Sequence, residues 1–209
     1  PLGDDYLAIL DDAFSSRWID RAENRGKRSG AYSSGSYGTL PYILLNWQGK
    51  LGDVFTLAHE LGHSVHSYLS NKTQPPHYAD YSIFLAEIAS TLNENLLSNY
   101  LLQQWDDPDK RLYVINEFVD GFKGTVFRQT QFAEFEQLIH EADNRGEAIT
   151  AEFLTEHYGE MNRRYYGPAL TFDPEIALEW SRIPHFYYNF YVYQYATGFA
   201  ASSAFARRI

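Results

Sequence analysis

The 209-residue chain contains no cysteine, so it has neither disulfides nor thiolate metal ligands, and any metal must be held by His, Asp and Glu. That absence suits a reducing compartment, and a cytoplasmic location is expected. Basic charge is also scarce. Seventeen Lys and Arg stand against 27 Asp and Glu, a net charge of −10, and no basic cluster stands out. Nucleic acid is therefore not an expected partner. No apolar run reaches the roughly 18 residues that a membrane-spanning helix needs, so a membrane is not expected either. The opening PLGDDYLAIL lacks the basic start and small-residue cleavage site of a signal peptide. Internal repeats and low-complexity tracts are absent. What is plentiful is aromatic side chains, 17% of residues, with 17 tyrosines of which many fall in one late segment. Apolar residues at 44% and charged residues at 21% match an ordinary globular domain with enough chain to bury a substantial core.

Hydrophobic spacing predicts a mostly helical fold. Leu7, Leu10, Phe14 and Trp18 recur at helical intervals and predict an amphipathic helix over 4–22. Residues 25–38, with four Gly and four Ser, read as a loop. TLPYILLNW, 39–47, is a short apolar run with an early proline, which suits an edge strand. Asp53 is placed to cap a helix running to about Leu69. Further helices are expected over about 82–105, 109–143 (tolerating Gly121 and Gly124) and from Thr150 to about Tyr166. The aromatic stretch HFYYNFYVYQYATGF leads into a last helix that is still running where the sequence stops. The expected fold class is mainly α, with a short edge strand or small sheet just before the helix that follows residue 52.

Chemistry concentrates in Thr56-Leu-Ala-His59-Glu60-Leu-Gly-His63. Two histidines four residues apart lie one turn apart on one helix face, where both imidazoles reach a single ion. A catalytic zinc takes three protein ligands and leaves a fourth position for water, and Glu60 is adjacent to the first ligand, placed to accept that water's proton. With 7 His and 27 acidic residues in 209, the odds of a chance match are about 3 in 100, so the helical context carries part of the weight. The competing reading is two ordinary histidines on one helix.

His66 is a poor third ligand. At 1.5 Å rise per residue it begins roughly 10 Å along the axis from His59, too far for one straight helix to wrap three imidazoles around one ion. The longer spacing HExxHxxGxxH fails as well, because position 66 is His and position 69 is Leu. The third ligand is expected from another helix, and Glu87 is the best candidate, an acid inside the apolar stretch FLAEIA where an unpaired carboxylate would be costly. An exposed or Arg-paired Glu87 is the alternative. Glu94, two turns further along the same face, suits a hydrogen bond to a ligating histidine, with a plain solvated glutamate nearly as good a reading. Asp53 reads more simply as a cap.

Three segments in order, LPYILLNWQGKLGDVFTLAHELGHSVHSYLS, YSIFLAEIASTLNENLL and HFYYNFYVYQYATGFAAS, resemble the catalytic core of the thimet oligopeptidase family of zinc metallopeptidases. The resemblance runs through about residues 28–205. It implies a zincin-like helical core and an endopeptidase of short peptides, with one zinc per chain on His59, His63 and Glu87 and with Glu60 as general base. It further implies that a late histidine and several tyrosines line the cleft, bind peptide backbone and stabilise the tetrahedral intermediate. His185 follows the family's His-aromatic pattern, and Tyr188, Tyr191 and Tyr195 are chosen among the neighbouring rings, though an aromatic stripe is more often simply core. Family members are much longer, with an N-terminal helical region walling a channel. Residues 1–209 are accordingly expected to be a single catalytic-core region of a longer metallopeptidase, its last helix cut.

Two rival readings follow from the same residues. One is a non-catalytic zinc-containing module that binds peptide, the other a metal hydrolase of a non-peptide amide. Closed structural zinc sites usually use four ligands, often Cys, which this chain lacks. The run Tyr42–Asn46, read as an edge strand, would let an extended peptide add a strand beside the metal helix.

Overall fold

In the computed structural model, which describes residues 2–209, seven α-helices and a three-stranded sheet make up the regular structure, together with short 3-10 and π turns. The first helix, α1 (Asp4–Ser15), stops well short of the 4–22 expected from spacing. Arg17 takes a left-handed conformation (φ 64) that turns the chain out of the helix and redirects Trp18. The anticipated apolar face is therefore dismantled. Leu7 and Phe14 are exposed, whereas Ala13 and Trp18 are buried, Trp18 against Ile43, Leu45 and Leu61.

The sheet comprises β1 (Ile19–Asp20), β2 (Tyr32–Ser34) and β3 (Tyr42–Leu44) in the order β1-β3-β2. β3 runs parallel to β1 and antiparallel to β2, with Ile43 opposite both Ile19 and Ser33. The run expected at an edge is thus the central strand. Pro41 does not prevent this because it precedes the strand, while the Ile43 N–H donates to the Trp18 carbonyl at 2.6 Å and the Leu45 N–H to Asp20 at 2.8 Å. β2 lies within the Gly- and Ser-rich stretch read as a loop, and its three residues are too few to show an alternating pattern.

The long helix α2 (Leu51–Thr73) begins with Asp53 at its third position rather than at the cap. The Asp53 carboxylate reaches back to accept the backbone N–H groups of Gln48 (2.8 Å) and Lys50 (2.9 Å), closing the preceding turn as the acid of a capping box does. These bonds hold its carboxyl below the ordinary range. Helix α3 (Ile83–Gln104) starts at Ser82, whose hydroxyl accepts the Phe84 N–H. The two helices meet backbone to backbone at Gly62. A Cβ there would sit 2.6 Å from the Ser90 Cα and 2.7 Å from the Ala89 carbonyl oxygen, closer than any side chain tolerates.

Helix α4 (Pro108–Phe122), a π turn (Lys123–Phe127) and α5 (Arg128–Asn144) replace the single helix expected over 109–143. Wider turns of this kind interrupt helices without reversing the chain, which is why spacing alone does not reveal them. Helix α6 (Ala151–Tyr166) is capped by Thr150, whose hydroxyl accepts the Phe153 N–H at 3.2 Å, and is ended by Gly167 at φ 65. Two 3-10 segments (Pro174–Arg182 and Pro184–Tyr187) lead towards the last helix, α7 (Tyr193–Ala206). No helix among the described residues is long and apolar enough to cross a membrane.

The chain divides into two compact units, one running to Asp120 and including Gly198–Ile209, the other Gly121–Thr197. In the first, Trp18, Ile43, Leu45 and Leu61 close the core beneath the sheet and α2. In the second, Phe132, Phe135, Tyr158, Met161, Ile183 and Val192 pack together. Beside them Glu179, 6% exposed, accepts Arg128 (2.6 Å), Arg182 and the Tyr158 hydroxyl (2.7 Å).

Candidate metal centre

In the first unit α2 presents His59 and His63 one turn apart, and their Nε2 atoms approach to 3.2 Å. Across the Gly62 contact α3 brings Glu87, whose Oε2 lies 3.6 Å from His59 Nε2 and 3.8 Å from His63 Nε2. All three donor atoms fall within 4.8 Å of one another. Ligands held tetrahedrally at 2.0–2.1 Å from one ion stand about 3.3 Å apart, so two imidazoles and a carboxylate in this arrangement suit a zinc-sized cation. Gly198 of α7, in the same unit, leaves room for this carboxylate stem: a Cβ there would come within 3.1 Å of the Glu87 Cβ.

Each histidine is held by its other ring nitrogen. His59 Nδ1 pairs with Glu94, two turns beyond Glu87 on α3. His63 donates to the Ala86 carbonyl, which leaves Nδ1 as the donor because Nε2 faces the cluster. Both Nε2 lone pairs are thereby directed inward, the tautomer a metal requires. The charge environment follows from burial. It acts to depress His59, but the Glu94, Glu87 and Glu60 carboxylates reverse it and the net shift is upward. Burial and the neighbouring imidazoles pull His63 down to about 3. Glu60 and Glu87, 7% and 8% exposed, are both raised, chiefly by burial. So many buried acceptors facing one another are costly unless a cation joins them.

Glu60 points to the sheet side of α2, where the backbone N–H of Ser33 donates to its carboxylate. Ser33 also meets Ser64 through their hydroxyls at 2.7 Å. Sequence reasoning missed Ser33, since a backbone contact from a three-residue strand leaves no residue-type signal. His66 takes no part in the cluster and stacks on Tyr81 with ring centres 3.8 Å apart. A cavity of about 600 Å³ opens beside His63 and Glu87, walled by Tyr37, Pro41, Ser67, Asn71, Tyr81 and Ile83.

His185, Tyr188, Tyr191 and Tyr195 belong to the second unit and form a cluster of their own. The His185 ring lies 5.6 Å from Tyr191 and 6.3 Å from both Tyr188 and Tyr195, and the Tyr195 hydroxyl donates to the Tyr191 hydroxyl at 3.3 Å. Tyr188 is largely exposed, whereas Val192 between the tyrosines is fully buried. The strand-addition reading of Tyr42–Asn46 fails on topology, because β3 already has a neighbour on each side.

The sequence matches the family model described as Peptidase family M3 over residues 3–209. It is 57% identical over 209 residues to Oligopeptidase PepF of Bacillus subtilis, covering 100% of this chain and 31% of that protein. It is 58% identical over 207 residues to a chromosomal Oligoendopeptidase F of Lactococcus lactis subsp. cremoris, covering 99% and 34%. The chain thus spans about a third of the length of these curated relatives. Among solved structures, oligoendopeptidase-F from Enterococcus faecium superimposes with a TM-score of 0.65 at 58% identity over 76% of this chain and 28% of that one. A structure from Chlamydophila abortus gives a TM-score of 0.81 at 49% identity, covering 100% and 35%.

Proposed function

Because this chain belongs to peptidase family M3, we propose that it is the metal-bearing core of a zinc-dependent endopeptidase of short peptides, with His59, His63 and Glu87 as ligands and Glu60 as general base. The observation that carries the reading is the convergence of the three donor atoms within 4.8 Å, with both imidazole tautomers fixed from behind. Zinc, when bound, polarises a scissile carbonyl and lowers the pKa of water to roughly 7. The residues supply the rest. Glu60 accepts the proton of the attacking water and returns it to the leaving amine, general acid–base work that typically contributes about 10²–10⁴-fold. Burial favours this exchange by keeping the carboxyl readily protonated, and the Ser33 N–H fixes one of its oxygens. Glu94 and the Ala86 carbonyl hold the far nitrogens of His59 and His63, and so keep both Nε2 atoms turned toward the ligand position.

Substrate binding has two parts in this reading. An extended peptide pairs with β2, the edge strand that touches α2 through Ser33 and Ser64, rather than with the central β3. Main-chain pairing of that kind ignores side chains and suits broad sequence tolerance. One peptide side chain enters the 600 Å³ cavity beside His63. His185 and the tyrosine hydroxyls are the donors assigned to the developing oxyanion, each worth about 3–4 kcal/mol if well aimed. Relatives named as oligopeptidases support the preference for short peptides.

The test uses the full-length protein. Elemental analysis should find one zinc per chain, and cleavage of a quenched fluorescent peptide should disappear with a chelator and return with zinc. Glu60→Gln should keep the metal and peptide affinity while abolishing turnover; sustained hydrolysis by that variant removes Glu60 as the base. One zinc without cleavage in the wild type would favour a peptide-binding module instead.

A further inference from the structure

Phe190 lies between Tyr188 and Tyr191 and adopts a left-handed backbone (φ 58), a conformation that costs a bulky residue energy and persists only when its surroundings impose it. Its surroundings impose it three times. Glu136 of α5, a carboxylate only 4% exposed, accepts the Phe190 N–H at 2.8 Å. Gln194, 9% exposed, donates its Nε2 to the Phe190 carbonyl at 2.9 Å. His140, one turn beyond Glu136 on α5, stacks on the Phe190 ring with centres 4.8 Å apart. A polar side chain buried this deeply is costly unless it is hydrogen-bonded, and Glu136 meets that need at the Phe190 backbone. The reverse turn held in this way carries Tyr188 and Tyr191 to either side and sets both against His185.

We propose that Glu136, with Gln194 as its counterpart, is a positioning residue: it clamps Phe190 in its strained conformation and so aims the His185–Tyr191–Tyr195 cluster at substrate. This rests on the reading of that cluster as substrate-facing. The clamp acts through backbone atoms alone, so any buried acceptor of the right reach at position 136 serves. Glu136→Gln, which keeps an oxygen acceptor, retains turnover within about threefold. Glu136→Leu removes the acceptor and lets the turn relax. A shift of about 1 Å in groups that meet the transition state costs up to about 10²-fold, and it falls on kcat because the interaction is made mainly there.

The experiment compares wild type, Glu136→Gln, Glu136→Leu and Gln194→Leu in the full-length protein, with zinc content, melting temperature, kcat and KM for one quenched peptide measured on each. The expected result is a fall of at least about tenfold in kcat for the leucine variants, with KM within about threefold, full zinc and rescue by glutamine at 136. If Glu136→Leu does not fold, Gln194→Leu cuts the other tether and carries the same expectation. Wild-type kcat in a folded, zinc-loaded leucine variant overturns the proposal, as does an equal loss in Glu136→Gln. His185→Gln and Tyr195→Phe run alongside as controls. If these are fully active, the reading of the cluster has failed; if they are impaired while the leucine variants are not, only the clamp has failed.

Discussion

Glu94 and Gly62 illustrate how single residues shape the proposed metal centre without supplying a ligand to it. Glu94 accepts the Nδ1–H of His59 and so determines which nitrogen faces the cluster. Its replacement by alanine should weaken zinc binding by about 10–100-fold, read by competition with a chromophoric chelator, while leaving the fold intact. Gly62 acts by having no side chain. Gly62→Ala would force its Cβ to within 2.6 Å of the Ser90 backbone, so α2 and α3 must separate and Glu87 must draw away from the imidazoles. The expected outcome is a lower melting temperature together with lost zinc; a variant with wild-type metal content would mean that the helices tolerate the shift. At this scale the sequence is most legible where spacing is short. A step of four from one histidine to the next dictates one helix face, and an acid amid FLAEIA advertises itself by its cost. Ser33 is illegible, since its part is played by a backbone N–H that every residue except proline possesses.

Helix and strand boundaries were legible where caps are local and illegible where one residue redirects the chain. Thr150 starts α6 as expected, and α3 begins at the expected 82, where the Ser82 hydroxyl accepts the Phe84 N–H. Arg17, by contrast, ends α1 in a left-handed conformation that nothing in its chemistry announces. Trp18 then leaves the helical pattern and becomes the anchor between sheet and α2, tilted against Tyr68 with ring centres 5.5 Å apart. Truncating it to alanine should cost about 3–5 kcal/mol in denaturant unfolding, the range for a fully buried aromatic. A cost below about 1 kcal/mol would show that the sheet does not depend on it. β3 was misplaced at the edge for a related reason. A proline suggests an edge only when it interrupts the ladder, and Pro41 stands outside it.

Across the whole chain, the division into two units is the feature that residue patterns concealed, because α4 and α5 read as one unbroken helix. The second unit carries its own buried ion network, and this gives it its own acid sensitivity. Arg128 and the Tyr158 hydroxyl stabilise the Glu179 carboxylate enough to outweigh burial, so its carboxyl lies below the ordinary glutamate value. A carboxyl with a lowered folded value contributes stability that is fully present above the unfolded value and fades as pH falls through the folded one. The melting-temperature gap between wild type and Glu179→Gln should therefore be widest near pH 6 and shrink steadily below about pH 4.5. A gap independent of pH would assign the effect of the substitution to packing.

The bond between the Ser33 N–H and Glu60 has a consequence for how this protein is dissected. Alanine scanning is blind to it, because every alanine variant keeps the donor. Only a change to the main chain itself, such as an amide-to-ester exchange at position 33, deletes that proton while leaving each side chain in place. Semisynthesis, rather than codon replacement, is the tool that would weigh what the sheet contributes to Glu60, the proposed base.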